Sequence, residues 1–177
     1  MVRKSIVFLV LAIAFLMMFV FFLPKKNIVY LAQRELQHSN IIFDFRSLKE
    51  KSYSVDMEDM TFYIDGVDLF TCKKVSLQTY LFYNKMEMQD IVLSDLAKEF
   101  LPLHVKQLQI SYALYNPLKP VFFANGEFGE VKGFADLLKR KVFVVVYPSQ
   151  YMKTHYQKSM RYLYHTQKGE FVYEYSY

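Results

Sequence analysis

A single cysteine, Cys72, rules out a disulfide within the chain, so a fold outside the cytoplasm would have to hold by packing alone. Cys72 itself reads as a small buried hydrophobe, with an intermolecular thiol as the minor alternative. Glycine and proline number only 5 each, too few for a disordered or low-complexity chain. Tryptophan is absent, but 15 Tyr and 17 Phe remain. A fully buried Phe contributes about 1.5–3 kcal/mol, so relatively few such residues can sustain a core.

Catalytic signatures are missing as well. His38, His104, His155 and His165 are dispersed, and none has the spacing to a cysteine or carboxylate that a zinc site requires. Ser149, His155 and Asp136 could be drawn as a triad, but no Gly-x-Ser-x-Gly turn supports it, and Ser149 after Pro148 reads as a helix cap. Gly126 and Gly129 lack the following Lys-Ser or Lys-Thr of a phosphate loop and mark a bulge or close backbone approach instead. Asp56, Glu58 and Asp59 lie in the polar phase of a strand, where a solvated face explains them. We therefore expect neither an enzyme nor a bound metal or cofactor.

The net charge of +5 invites a nucleic-acid reading, which its distribution excludes. Four of the 22 Lys and Arg flank one apolar run, leaving 18 against 17 Asp and Glu. The remaining charges are interspersed, apart from Lys139-Arg140-Lys141, and form no stripe able to follow a phosphate backbone. That triplet reads as a solvated turn or a membrane-facing patch.

The apolar run is the strongest positive feature. Ile6 to Leu23 is 18 residues without a charge, amide or hydroxyl. As a helix it would be about 27 Å long, close to the thickness of a hydrocarbon core. Ile6, Phe8, Leu11, Phe15, Phe19, Phe22 and Leu23 leave no polar stripe, so lipid is the natural solvent. Arg3 and Lys4 before it, and Lys25 and Lys26 after it, can reach phosphates, and Pro24 helps end the helix. A cleaved signal peptide would have a shorter apolar region and small residues at its end, whereas here the run closes on Phe21-Phe22-Leu23-Pro24-Lys25-Lys26. A lipoprotein signal would need a cysteine just beyond the run, and a soluble core helix would not need so long an apolar stretch.

Cations on the two flanks are nearly balanced, so orientation rests on the short leader. We expect residues 1–5 in the cytoplasm, 6–23 as the transmembrane anchor in the inner (cytoplasmic) membrane, and 24–177 as a periplasmic β-rich domain.

Beyond the anchor, Asn27 is placed to cap a short helix with Ile28, Leu31, Ala32 and Leu36 at helical spacing, ending near His38-Ser39-Asn40. From Tyr53 the period becomes two. Met57 to Met60 slips the phase, which predicts a bulge or bend, and Asp65-Gly66 predicts a turn. Strands are predicted over Lys73 to Tyr83 and Lys85 to Leu93, with a turn at Asn84-Lys85. A short helix follows from Ser94 or Asp95 to Phe100. Further strands run through Leu108 to Leu114, Val121 to Val131 and Val142 to Tyr147, with Asn116-Pro117 turning the chain. Ser149 opens a helix bearing Met152, Tyr156, Met160 and Leu163, and a Lys168-Gly169 turn leads to a last strand with Phe171, Tyr173, Tyr175 and Tyr177. Roughly seven or eight strands and two to four short helices predict a mainly β protein, a curved antiparallel sheet or open half-barrel. The helices near Asn27 and Gln150 would cover its apolar face.

This layout resembles type II secretion system protein N and the wider AsmA-like envelope proteins. The likeness lies in the anchor, Pro24, the helix through Leu31 and Leu36, the strands in VDMEDMTFYIDGVDLFTCKKVSLQTYLF, the stretch ANGEFGEVKGFADLLKRK, and the Pro148-Ser149 helix with its closing aromatic strand. It implies an inner-membrane protein whose periplasmic sheet assists secretion or the movement of hydrophobic material. The expected partners are the lipid bilayer and other envelope or secretion proteins, with a lipid ligand as the alternative and no nucleic acid. The strand Phe171, Tyr173, Tyr175, Tyr177 is the candidate partner strand.

Overall fold

The computed structural model describes residues 24–80, 82–97, 101–161, 163–165 and 170–176. The expected anchor, with Arg3, Lys4, Ile6, Phe8, Leu11, Phe15, Phe19, Phe22 and Leu23, lies outside the described residues, as do Lys168-Gly169 and Tyr177. Among the described residues, no helix is long and apolar enough to cross a membrane.

The chain opens with helix α1 (Lys25–Gln37) and then winds through β1 (Ile41–Glu50), β2 (Ser54–Ile64), β3 (Val67–Thr79), β4 (Tyr83–Leu93), β5 (His104–Ala113), β6 (Val121–Gly126), β7 (Gly129–Asp136) and β8 (Lys141–Pro148). Two short helices, α2 (Gln150–His155) and α3 (Gln157–Met160), precede the two-residue β9 (Tyr164–His165) and β10 (Phe171–Ser176). The strands form one open antiparallel sheet in the order β1-β2-β3-β4-β5-β6-β7-β8-β10-β9. The architecture is mainly β, and every neighbouring pair up to β8 is a hairpin because each loop is short enough to return the chain beside its predecessor.

The phase slip between Met57 and Met60 belongs to a line of slips crossing five strands. The paired register skips Arg46 opposite Asp59, then Asp59 opposite Lys73, Lys73 opposite Asp90, and Asp90 opposite Lys106. At each of these residues the apolar phase moves by one: Phe45 to Leu48, Met57 to Met60, Cys72 to Val75, Met88 to Ile91, and Val105 to Leu108. Because all five slip together, one side of the sheet stays apolar across the line, and these residues share a single core. Asp59 (φ 48°) and Asp90 (φ 51°) adopt the left-handed conformation that an extra residue in a strand requires and that short Asp side chains tolerate. Along the line the charges alternate in sign. Arg46 pairs with Asp59, and Asp90 lies 3.8 Å from Lys73 and 4.0 Å from His104. The line ends at Lys106, where the register against β6 shifts by one residue.

The core lies on the apolar side, with Val55, Met57, Met60, Cys72, Val75 and Ile91 at its centre. Helix α1 contributes Val29 and Leu36, and the segment after Ser149 contributes Met152, Tyr156 and Met160, so both expected covers pack where the sequence predicts. The face that α1 buries differs from expectation. Its buried residues are Lys25 and Val29, while Ile28 and Leu31 are exposed, and the helix starts at Lys25 without a side-chain cap from Asn27.

Other boundaries also move. Strand β1 was not expected, because its apolar residues Phe43, Phe45 and Leu48 break period two at Arg46. Strand β3 begins at Val67, directly after the Asp65-Gly66 turn, and β4 begins at Tyr83, so Asn84-Lys85 lies within β4 and not in the expected turn. The single strand expected over Val121 to Val131 is two strands joined at Glu127-Phe128. Gly129 (φ +110°) makes that hairpin possible, since a Cβ there would run into the Tyr147 carbonyl oxygen. The helix expected at Ser94 or Asp95 is a single 3-10 turn, Asp95–Ala97, with residues 98–100 outside the described set.

Strand direction sorts the described loop residues into two rims. The near rim carries the start of α1 and residues 51–53, 80, 82, 114–120 and 137–140, and the far rim carries 38–40, 65–66, 94–97, 101–103, 127–128 and the start of α2.

Candidate interaction surfaces

The expected partner strand is at one edge of the sheet. Tyr173 stands opposite Val144 of β8 and Tyr175 opposite Val142, so one side of β10 is fully paired. On its other side, β9 reaches only Phe171 and Val172. Among the described residues, Tyr173 to Ser176 therefore have no strand paired on that side, and Tyr173 and Tyr175 are exposed beside it. The opposite edge is treated differently: α1 packs along β1, and Gln33 Nε2 donates to the Phe43 carbonyl oxygen at 2.9 Å. One edge is thus packed against a helix, a usual protection against unwanted strand pairing, and the other, among the described residues, is not.

A second surface lies on the side of the sheet away from the core. Over β1–β5 that side is polar. Asp56 is the exception to the solvated face expected for it: it is buried, and accepts from Ser76 Oγ at 2.7 Å and Lys51 Nζ at 2.6 Å. Burial pushes its carboxyl up, but these two hydrogen bonds together with the positive charges of Lys51 and Lys74 outweigh that and hold it below the ordinary carboxylate value. Glu58 accepts from Ser47 and Lys49, and Glu87 from Gln107. Over β6–β8 the same side turns apolar. Phe123, Phe134, Phe143 and Val145 line a groove of about 560 Å³, with Gln109 and Ser111 at one margin. Phe134 and Phe143 stack at 5.5 Å, and Lys132 Nζ lies 5.6 Å from the Phe123 ring centre and 5.5 Å from that of Tyr147. Strand β8 is therefore apolar on both sides, with Val142, Val144 and Val146 facing one way and Phe143 and Val145 the other.

The groups considered for chemistry are not brought together. Ser149 is at the far rim, where its hydroxyl accepts from the Met152 N–H at 3.1 Å as a helix cap. Asp136 is at the near-rim end of β7, opposite Lys141, bonded to the Lys139 N–H and 3.4 Å from Lys119. Cys72 is buried, and burial pushes its thiol up to about 11. Among the described residues, no group of three or more His, Cys, Asp or Glu could hold a metal ion. Of the anchor flanks that are described, Lys26 is exposed, whereas Lys25 is buried and its backbone N–H donates to Glu50 Oε1 at 2.8 Å.

Comparison with known protein families, curated proteins and solved structures finds no match for this chain.

Proposed function

We propose that this chain is a single-pass inner-membrane protein whose periplasmic β domain works by contact, as an accessory or assembly component of an envelope secretion or transport system. The observation that carries this reading is the edge of β10. Among the described residues no strand pairs with the outer side of Tyr173 to Ser176, while α1 packs along the other edge of the same sheet and Gln33 bonds to the Phe43 carbonyl there. An extended segment of a partner can add there as a further strand, with main-chain hydrogen bonds for affinity and the exposed tyrosines for selectivity. The run Ile6 to Leu23 supplies the tether.

Deletion of residues 171–177 should abolish co-purification of partners from membranes while leaving the chain resistant to alkaline carbonate. Undiminished partner recovery would sink strand pairing, and release by carbonate would sink the tether. A C-terminal fusion to a reporter active only in the cytoplasm should be silent.

A second reading, that the domain holds an acyl chain, draws on the groove of Phe123, Phe134 and Phe143. Its size and apolar lining suit a hydrocarbon chain, and Lys132 at its side suits an anionic head group. Mass spectrometry of solvent extracts from the purified chain distinguishes the two readings, because lipid recovery should fall on Phe134→Glu only if the groove is the binding site.

A further inference from the structure

We propose that the near rim of the sheet is a membrane-contacting surface, so that the domain lies with its loop tips in the head-group layer of the bilayer to which the chain is tethered. The proposal rests on the tether reading above and specifies how the domain sits on that membrane.

Position is the first argument. The apolar run ends at Leu23, and α1 begins two residues later at the near rim, with the Lys25 N–H held by Glu50 at the end of β1. From that point the rim is continuous. Thr79 N–H donates to the Tyr53 carbonyl oxygen at 2.8 Å, Leu114 N–H to that of Phe82 at 2.9 Å, and Leu137 N–H to that of Leu118 at 2.9 Å. Successive near-rim loops are two strands apart, or about 10 Å, so together they form a front about 30 Å long beside the emerging tether.

Composition is the second. Tyr53, Phe82, Leu114, Tyr115, Leu118 and Leu138 all project from this front as exposed side chains. Tyr115 is 89% exposed and Leu138 75%, values that no packing within the domain explains. Aromatic and aliphatic tips with polar handles are the residues that partition into a membrane–water interface.

Charge is the third. The near-rim loop residues 51–53, 80, 82, 114–120 and 137–140 contain Lys51, Lys119, Lys139 and Arg140, and no Asp or Glu. The described far-rim loop residues contain Asp65, Asp95 and Glu127, and no Lys or Arg. Lys51 and Lys119 are engaged by Asp56 and Asp136, which leaves the Leu137-Leu138-Lys139-Arg140 tip as the part best suited to anionic phospholipid.

The chain has no tryptophan, which allows a direct test. The full chain carrying Tyr115→Trp, Leu138→Trp or, at the far rim, Leu96→Trp is reconstituted into vesicles of phosphatidylcholine and phosphatidylglycerol containing a lipid spin-labelled near its carbonyls. The two near-rim variants should show blue-shifted emission and several-fold stronger quenching than Leu96→Trp. In the Tyr115→Trp background, adding Lys139→Glu and Arg140→Glu should reduce quenching about twofold or more. If the near-rim tryptophans are quenched no more than Leu96→Trp while the chain resists carbonate, the rim proposal fails and the tether stands. If carbonate releases the chain, both fail.

Discussion

At the far rim the chain reverses through Asp65-Gly66 and Glu127-Phe128, two-residue turns made possible by left-handed backbone at Asp65, Gly66 and Gly129, and Phe128 points back into the core. At the near rim the reversals at 51–53, 114–120 and 137–140 are longer than these two turns, and Tyr115 and Leu138 are among the most exposed apolar side chains of the domain. The same strands feed both rims, so the contrast does not come from the sheet. At those two turns and at the Ser149 cap the far rim follows what folding requires, although Leu96 is exposed there as well. The near rim engages Lys51 and Lys119 in the fold but leaves Tyr115 and Leu138 unburied beside Lys139 and Arg140, and such a surface suits a neighbour outside the domain.

The contrast can be broken most severely at Gly129. Its φ of +110° and the Tyr147 carbonyl facing the absent Cβ leave no room for alanine, so Gly129→Ala should destabilise the domain by about 3 kcal/mol or more, measured by urea unfolding of the detergent-solubilised chain. A loss below about 1 kcal/mol would mean that the hairpin does not depend on that backbone conformation.

Asp56 tests whether near-rim charge is tied up by the fold. Its carboxyl is held below the ordinary value, so its stabilising contribution is complete above the unfolded value of about 3.9 and is lost as pH falls through the folded value. Asp56→Asn should lower stability at neutral pH by about 1–2 kcal/mol and flatten the acid dependence below about pH 4. It should also free Lys51, and so leave membrane contact of the rim unchanged or stronger. Weaker contact would contradict the assignment of Lys51 to the fold.

The smallest effect on stability is expected at the exposed tips. Tyr115→Ser and Leu138→Ser should change unfolding free energy by no more than about 0.5 kcal/mol, because neither side chain is buried. A larger loss would show that the near rim, too, serves the fold.

Much of this architecture is legible along the chain. The alternation in β2, β4, β5 and β10, the Asp65-Gly66 turn and the Ser149 cap all follow from local rules, since each depends on residues within a few positions of one another. The candidate partner strand is legible for the same reason, as Phe171, Tyr173 and Tyr175 lie within one run. Strand β1 and the split between β6 and β7 are less legible, because Arg46 interrupts the period and two glycines in a strand-like run suit a bulge as well as a hairpin.

The sequence by itself determined that the chain carries an apolar run long enough to span a bilayer and that the rest is mainly β, because length, polarity and period two are local properties. Only the tertiary structure decided the rest. Arg46, Asp59, Lys73, Asp90 and Lys106 are well separated along the chain, yet strand pairing aligns them into one line across the sheet. The basic and aromatic loops likewise gather beside the start of α1 because an antiparallel meander returns every second reversal to the same rim.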